Sequence, residues 1–265
     1  TLSDFFNKDL SAQIIAKYGK ADVVTAANVM CHIPNITSVI QGVIELLQPD
    51  GVFIFEDPYV GDILEMNSFD QIYDEHVFYF SVTSLQNLFQ QFGLEIIKVE
   101  PQKVHGGSLR YTVAFQNIYT VDNSVYHYQR KENSQQITDP KIWNQFKKNV
   151  QNIKNDFVTT LHELKKQKKT VVGYGATSKS TTILNFCNIH SDLISYICDT
   201  TPIKQFKYSP GTHISILPYS EFQKNKPDYT VLFAWNHFEE IMQKEKVYTN
   251  SGGKWIVFFP QIKVL

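Results

Sequence analysis

Groups that can move a proton are concentrated in one short stretch, FDQIYDEHVFYFS, which spans residues 69–81. Within it, Tyr73, Glu75 and His76 bring a phenol, a carboxylate and an imidazole close together along the chain. This combination suits general acid–base chemistry, because histidine titrates near neutral pH. If the stretch is helical, Tyr73 and His76 share one face at a spacing of three residues. The composition of the stretch supports equally an amphipathic segment whose aromatic rings join a core.

Polar residues also follow two apolar runs that are typical of buried strands, ADVVTAANV and GVFIFEDP. Asn28 lies at the end of the first run and His32 lies just beyond it, whereas Glu56 and Tyr59 mark the end of the second. Ligands of open α/β sheets bind outside the carboxyl ends of the strands. These four residues are therefore candidate ligand contacts, although a lone loop histidine is more often a surface residue.

A glycine turn in VVGYGATSKS partly fits the dinucleotide-binding fingerprint. Gly173 and Gly175 are in place, and Ser178 stands where the third glycine is expected. Asp199 ends the next predicted strand, where a ribose-binding acid is expected. The stretch is not a P-loop, because no glycine precedes Lys179. It predicts either contact with a phosphate or nucleotide at a helix N-terminus, or a purely structural turn.

A second glycine turn lies in KVHGGSLRYTV, residues 103–113. His105, Gly106 and Ser108 precede Arg110 in this stretch. Successive backbone N–H groups of such a turn can form a cradle for an anion, with Arg110 close by. A tight turn that leads into a strand explains the same residues equally well.

The elements that must position these residues predict two α/β units. In the first, ADVVTAANV, the helical pattern of ITSVIQGVIELLQPDG, and GVFIFEDP form a strand–helix–strand unit, which implies a parallel sheet. TSLQNLFQQFG is expected to be a helix, and LEIIKVEP and LRYTVAFQ are expected to be antiparallel strands at the sheet edge. We place this unit at residues 1–120 and a polar, aperiodic linker at residues 121–139.

The second unit, residues 140–265, begins with a long amphipathic helix. Its apolar positions recur at helical spacing and are Ile142, Phe146, Val150, Ile153, Phe157, Leu161 and Leu164. KTVVGYGATSKSTTILNF then predicts a strand, a glycine turn and a helix, and LISYICD, DYTVLFAW and KWIVFFP predict three further strands. The expected fold class is α/β, with two Rossmann-like units of which the second is smaller.

Composition narrows the classes of function for this 265-residue chain. With 25 basic and 26 acidic side chains and a net charge of −1, nothing favours nucleic acid or an anionic membrane as partner. The longest apolar runs fall short of the ~18 residues of a membrane span. Cys31, Cys187 and Cys198 have neither zinc-site nor disulfide spacing. We therefore expect free buried thiols, no bound metal and a cytoplasmic protein.

Several motifs occur together, in this order, in one known family. NVMCHI, GVFIFEDPY, FDQIYDEHVFYFS, HGGSLRY, GYGATSKSTTILNFC, DTTPIKQFKYSPGTHISI and NKPDYTVLFAWN resemble the nucleotide-sugar C-methyltransferases over essentially the whole chain. The resemblance implies methylation of a ring carbon of a TDP-linked keto-sugar, with S-adenosylmethionine as methyl donor. It also implies a zinc-binding domain, a Rossmann-type methyltransferase domain and a second Rossmann-like domain, with the sugar nucleotide between the last two.

The resemblance further implies roles for individual residues. His76 would be the base, with Glu75 orienting or tuning it, and Tyr73 and His32 would line the pocket and hydrogen-bond the sugar oxygens or the enolate. Asn28 would lie beside the methionine part of the cofactor. The residues that would hold the sugar and diphosphate are Glu56, Tyr59, His105, Gly106, Ser108, Arg110, Gly173, Gly175, Ser178, Lys179, Lys204 and Tyr208.

The sequence departs from the family pattern at its start. The zinc-binding cysteines and the glycine-rich first cofactor loop are absent from it. We therefore expect an N-terminally incomplete methyltransferase domain that carries no zinc. Two alternatives stay open: a nicotinamide-dependent oxidoreductase built on Gly173 and Gly175, and a non-catalytic remnant that binds a nucleotide sugar.

Overall fold

The structure is a computed structural model that describes residues 1–265, apart from the side chain of His105. The chain divides into two compact units, each made of two segments. The first unit comprises Thr1–Asp62 and Asp74–Ile142, and the second comprises Ile63–Tyr73 and Trp143–Leu265. This division differs from the expected break at residues 121–139, and the predicted domain boundaries stay a prediction.

Alternating helices and strands build the first unit. They are α1 (Lys8–Tyr18), β1 (Ala21–Ala27), α2 (Ile36–Leu46), β2 (Leu47–Pro58), α3 (Val60–Met66, which runs into the second unit), α4 (Val82–Gln90), β3 (Leu94–Gln102), β4 (Ser108–Phe115) and α5 (Asn123–Gln135). The strand order is β1-β2-β4-β3. β1 pairs with β2 in parallel, whereas β4 is antiparallel to both β2 and β3. The predicted strand–helix–strand unit and the antiparallel pair are confirmed.

Local sequence explains why α2 forms where it does. The Asn35 side chain accepts a hydrogen bond from the Ser38 backbone N–H and caps the helix N-terminus. Val39, Ile40 and Val43 are buried on one face, as helical periodicity requires. The helix ends at Leu46, before Pro49-Asp50-Gly51, because β2 already begins at Leu47.

The segment predicted as a linker instead holds helix α5. The buried side chains of this helix are Val125 and Glu132, so it has no apolar stripe that the sequence could reveal. The Glu132 carboxylate accepts hydrogen bonds from the Val82 N–H at 2.6 Å and the Thr83 N–H at 2.9 Å, which are the first amides of α4. The helix is therefore anchored by a buried carboxylate at a helix N-terminus.

The second unit is a six-stranded sheet covered by helices. Its elements are α6 (Pro140–Lys166), β5 (Val171–Tyr174), α7 (Ser178–Cys187), β6 (Ile197–Asp199), β7 (Ile216–Pro218), α8 (Tyr219–Asn225), β8 (Tyr229–Leu232), α9 (Phe238–Lys244), α10 (Lys246–Asn250), β9 (Lys254–Val257) and β10 (Lys263–Val264). The strand order is β10-β9-β8-β5-β6-β7, and all neighbours except β10 and β9 are parallel. The predicted α/β fold class with a Rossmann-like second unit is confirmed. The expectation that this unit is the smaller one is wrong, because its sheet has six strands and that of the first unit has four. The predicted stripe of α6 is buried from Phe146 to Leu164.

The stretch at residues 69–81 is not a helix, so Tyr73 and His76 do not share the face that a helix would have given them. It begins with a short 3₁₀ helix, Phe69–Gln71, and continues without regular structure to the cap of α4. The Val77 and Phe78 N–H groups donate to the Cys31 carbonyl instead of to carbonyls one helical turn earlier. Hydrogen bonds to a residue far away in the sequence therefore take the place of the hydrogen bonds that a helix would form within the stretch.

None of the helices in the described part of the chain has both the length and the apolar composition that a membrane span requires.

Candidate active site

Asn28 lies directly after β1, at the carboxyl end of the parallel pair of strands. Its φ angle is 52°, a left-handed conformation that asparagine tolerates better than most residues. Its N–H donates to the Glu56 carbonyl at 2.7 Å. The side-chain Oδ1 is buried and has no hydrogen-bond partner among the described residues. This oxygen is therefore an acceptor that a ligand could satisfy.

His32 and His76 come together in the first unit, as the sequence analysis expected for a shared pocket. His32 lies on the 3₁₀ helix Met30–His32, and the Cys31 carbonyl of this helix holds the Val77 and Phe78 amides at 2.9 and 3.2 Å. The two imidazole rings are 4.9 Å apart between centroids, at an interplanar angle of 63°. Both are partly exposed. Two titratable rings therefore lie close together, and one of them follows Asn28 by four residues in the chain.

The described contacts do not test the predicted roles of Glu75 and Tyr73. His32 Nδ1 is 2.8 Å from the main-chain carbonyl of Glu75, so the described contact of Glu75 with this cluster is through its backbone. The Glu75 side chain is exposed. Tyr73 is the last residue of Ile63–Tyr73, which belongs to the second unit. The predicted roles of both residues stay predictions.

The sequence analysis missed Asp57 and Cys31 at this site. Asp57 is fully buried, and its Oδ1 accepts a hydrogen bond from the Cys31 N–H at 3.4 Å. Burial raises the pKa of Asp57 to about 6. Burial, together with the neighbouring Asp57 carboxylate, raises the pKa of the Cys31 thiol well above its usual value. The signal was available: adjacent Glu56 and Asp57 point to opposite faces of β2, so one acid must face inward.

Glu56 and Arg110 form an ion pair with each other. They are opposite one another in the β2–β4 register, and Arg110 Nη2 and Nε lie 2.8 and 3.0 Å from Glu56 Oε2. A guanidinium that donates twice to one carboxylate is a strong, oriented pair. Each side chain therefore already has a protein partner, and contact with a substrate by either one stays a prediction.

Three predicted substrate contacts of the first unit look structural. The Tyr59 side chain is 0% exposed and packs edge-on against Tyr128, so it cannot reach a ligand in this conformation. Ser108 is buried, and its hydroxyl donates to the Val104 carbonyl at 3.2 Å, which closes the turn. Gly106 ends the short 3₁₀ helix Val104–Gly106. The side chain of His105 lies outside the described residues.

The glycine turn of the second unit is held by Asp199. Its Oδ2 accepts from the Ala176 N–H at 2.7 Å, and its Oδ1 accepts from the Thr201 N–H at 2.7 Å. Lys204 donates to the Ala176 carbonyl at 2.8 Å and lies 3.8 Å from the Asp199 carboxylate. Gly175 adopts a φ of 91°, which the turn requires. Asp199, which was expected to bind a ribose, therefore stabilises the turn instead.

Two clefts flank this turn, and both include Thr177 and Lys204. Gly175, His237 and Lys244 line the first cleft, whereas Ser178 and Tyr208 line the second. Of the residues predicted to hold a sugar or diphosphate in this unit, four therefore lie at a cleft. They are Gly175, Ser178, Lys204 and Tyr208.

Lys179 and Gly173 have structural environments instead. The Lys179 side chain is buried, with its Nζ 4.9 Å from the centre of the Trp235 ring, and it is attracted by the buried Asp70 carboxylate. Gly173 lies inside β5, where an added Cβ would come within 2.6 Å of the Phe233 ring. The structure therefore does not support direct ligand contact by either residue.

Comparisons with known proteins identify the family of the chain. The family described as C-methyltransferase C-terminal domain matches residues 103–260, more than half of the chain, and a methyltransferase domain family matches residues 3–99. The chain is 34% identical over 269 residues to the C-methyltransferase NovU of Streptomyces niveus, a match that covers 100% of this chain and 63% of that protein. The chain thus spans less than two thirds of the length of this relative. A solved structure of a SAM-dependent methyltransferase from Anabaena variabilis is similar with 17% identity and a TM-score of 0.34, over 44% of this chain and 58% of that one. On the match over residues 103–260, the chain belongs to the C-methyltransferase family.

Proposed function

We propose that the protein is an S-adenosylmethionine-dependent C-methyltransferase that acts on a nucleotide-linked keto-sugar. The observation that carries this proposal is the contact between the imidazole of His76 and that of His32, which lies on a segment that follows Asn28 and the carboxyl end of β1. Family membership supports methyl transfer to carbon. The nucleotide-sugar class of substrate is supported by the motif resemblance and by the clefts of the second unit.

Asn28 fits the methionine part of the proposed cofactor. Its buried, unsatisfied Oδ1 would accept a hydrogen bond from the ammonium group of that part. The bound cofactor supplies an electrophilic methyl group for transfer. The chain's own residues must then bind and orient the substrate and remove a proton from it.

His76 is the proposed base. A carbon next to a ketone is weakly acidic, so a base at hydrogen-bond distance, here an imidazole, must remove its proton as the enolate forms. His32 has a complementary role. In its neutral form, Nδ1–H donates to the Glu75 carbonyl, which leaves Nε2 as an acceptor for a sugar hydroxyl. One ring would therefore remove the proton while the other orients the sugar.

The second unit by itself offers groups suited to a diphosphate and a sugar. The cleft next to the glycine turn is lined by Lys204, Lys244, His237 and Thr177, and also by the acids Asp199 and Glu240. Ammonium groups and hydroxyls are common phosphate ligands. The nicotinamide alternative is less well supported, because Asp199 is buried and each of its oxygens already accepts a backbone N–H of the turn.

Replacing His76 with asparagine in the complete natural polypeptide tests the proposal. Asn keeps a polar side chain but cannot act as a base, so methyl transfer should fall by roughly 10²–10⁴-fold. Binding of S-adenosylhomocysteine, measured by calorimetry, should change by no more than a few fold. His162→Asn, on an exposed position of α6, is the matched control and should keep full activity.

Two outcomes contradict the proposal in different ways. Unimpaired turnover by His76→Asn removes His76 as the base. A wild-type protein that binds TDP-sugar but not S-adenosylhomocysteine is the non-catalytic remnant instead.

A further inference from the structure

We propose that Cys31, His32 and His76 form a binding site for one thiophilic divalent cation, with Zn²⁺ as the best match. Their sulfur and ring-nitrogen ligand atoms all lie within 4.8 Å of one another. Thiolate and imidazole are both zinc ligands, and three of them leave the fourth position of a tetrahedral site open. This inference concerns binding alone. A cation held by His32 and His76 would occupy the imidazoles that the proposed function uses for proton removal and for the sugar contact, so the cation-bound form would not transfer a methyl group.

The three ligand atoms need only a small adjustment to reach coordination distance. In a tetrahedral zinc site, with Zn–S of about 2.3 Å and Zn–N of about 2.0 Å, ligand atoms lie roughly 3.3–3.6 Å apart. The observed limit of 4.8 Å therefore requires a closure of about 1 Å, which imidazole rotation can supply. His32 and His76 are partly exposed, so an ion can enter beside them, whereas Cys31 is fixed at 2% exposure.

The neighbours of these residues act as an outer shell for a metal. His32 Nδ1 lies 2.8 Å from the Glu75 carbonyl, which orients the ring and leaves Nε2 with the lone pair that a metal needs. The Val77 and Phe78 amides bond to the Cys31 carbonyl and hold the backbone that carries His76 against that of Cys31.

The charge at the site also favours a dication. The Asp57 carboxylate lies against Cys31 and is 0% exposed, and it has no lysine or arginine partner among the described ion pairs. Its Oδ2 has no hydrogen-bond partner in the described part of the chain. A buried carboxylate without a counter-charge is costly.

Metal binding by the purified chain tests this inference, with Co²⁺ as the spectroscopic probe for Zn²⁺. One equivalent of Co²⁺ should produce a thiolate-to-cobalt charge-transfer band and tetrahedral visible bands, and Zn²⁺ should bleach both. Cys31→Ser should lose the charge-transfer band and bind Zn²⁺ roughly 100-fold more weakly or worse. Cys187→Ser, at another buried free thiol in the second unit, is the matched control and should keep both properties.

X-ray absorption of the Zn²⁺-loaded wild-type chain gives a second measurement that does not depend on a variant folding. It should show one sulfur and two imidazole ligands. A zinc shell of oxygen and nitrogen only, or a charge-transfer band that persists in Cys31→Ser, overturns the site.

Discussion

Replacing Trp235 with phenylalanine should destabilise the second unit in a pH-dependent manner. The Trp235 Nε1–H donates to Asp70 Oδ2 at 2.6 Å, and Asp70 is 0% exposed. Burial raises the pKa of Asp70 to about 6, while the nearby Lys179 charge and the Trp235 hydrogen bond oppose the rise. The indole N–H is therefore one of the groups that make a buried carboxylate tolerable at neutral pH.

The magnitude follows from the charge of Asp70. Above pH 7 the carboxylate is ionised, and losing a hydrogen bond to a charged acceptor costs about 1.5–3 kcal/mol. Near pH 4 to 5 the folded-state carboxyl is protonated, and losing a neutral hydrogen bond costs about 0.5–1.5 kcal/mol. The destabilisation by Trp235→Phe should therefore roughly double from acidic to neutral pH.

The sign of the pH dependence can be checked by linkage. The folded-state pKa of Asp70, about 6, lies above its ordinary value of 3.8, so the folded state binds a proton more tightly. The stability that this group contributes is present below pH 4 and is lost as the pH rises through 6. Removing the Trp235 N–H moves the folded-state pKa higher, so in the variant the loss continues to a higher pH.

Urea unfolding between pH 4.5 and 8, followed by tryptophan fluorescence, measures these differences. Trp143, Trp235 and Trp255 all belong to the second unit, so the signal reports its unfolding. Trp255→Phe is the matched control, because its Nε1–H donates at 3.0 Å to the neutral hydroxyl of Thr249. The control should show a destabilisation that is the same at every pH. If the two variants have the same pH dependence, the assignment of a charged Asp70 partner is refuted.

Three further substitutions test other parts of the structure. Glu132→Gln should destabilise the first unit by about 1–3 kcal/mol, because the charge-assisted hydrogen bonds to the first amides of α4 weaken. Urea unfolding monitored by circular dichroism measures this loss. The control Glu163→Gln, at an exposed position, should have no effect. Gly173→Ala should destabilise the second unit by about 1–3 kcal/mol, since the added Cβ would lie 2.6 Å from the Phe233 ring. A loss of nucleotide affinity without a loss of stability would instead indicate that Gly173 contacts a ligand. Asn28→Ala should weaken binding of S-adenosylhomocysteine about 10-fold or more in calorimetry, as expected for a lost hydrogen bond to an ammonium group; unchanged affinity removes Asn28 from the cofactor site.

Elements with a local pattern could be predicted from the sequence. The α6 stripe from Phe146 to Leu164, the cap at Asn35 and the strand–turn–helix around Gly175 all depend on residues a few positions apart. The position of Asn28 and His32 beyond β1 also follows from the local sequence pattern, because the carboxyl ends of parallel strands lie at one edge of the sheet. The motif order also indicated the family that the comparison confirms.

Partners far apart in sequence could not be predicted. Helix α5 has no apolar stripe, because what it buries is Glu132 against amides about fifty residues earlier in the chain. The sequence around His76 leaves open whether this stretch is helical, and the structure shows that the Val77 and Phe78 amides bond to the Cys31 carbonyl and that the stretch is irregular.

The chemical role of a side chain was likewise decided by the tertiary structure. The sequence determined which groups are available, and it placed Lys179 and Asp199 at positions that are typical of a nucleotide-binding site. Only the folded chain shows that Asp70 and Trp235 hold Lys179, that two backbone amides occupy Asp199, and that Asp57 faces inward beside Cys31. The physical reason is that a buried polar group must be satisfied by whichever partner the fold brings to it, and that partner is set by packing rather than by neighbours in sequence.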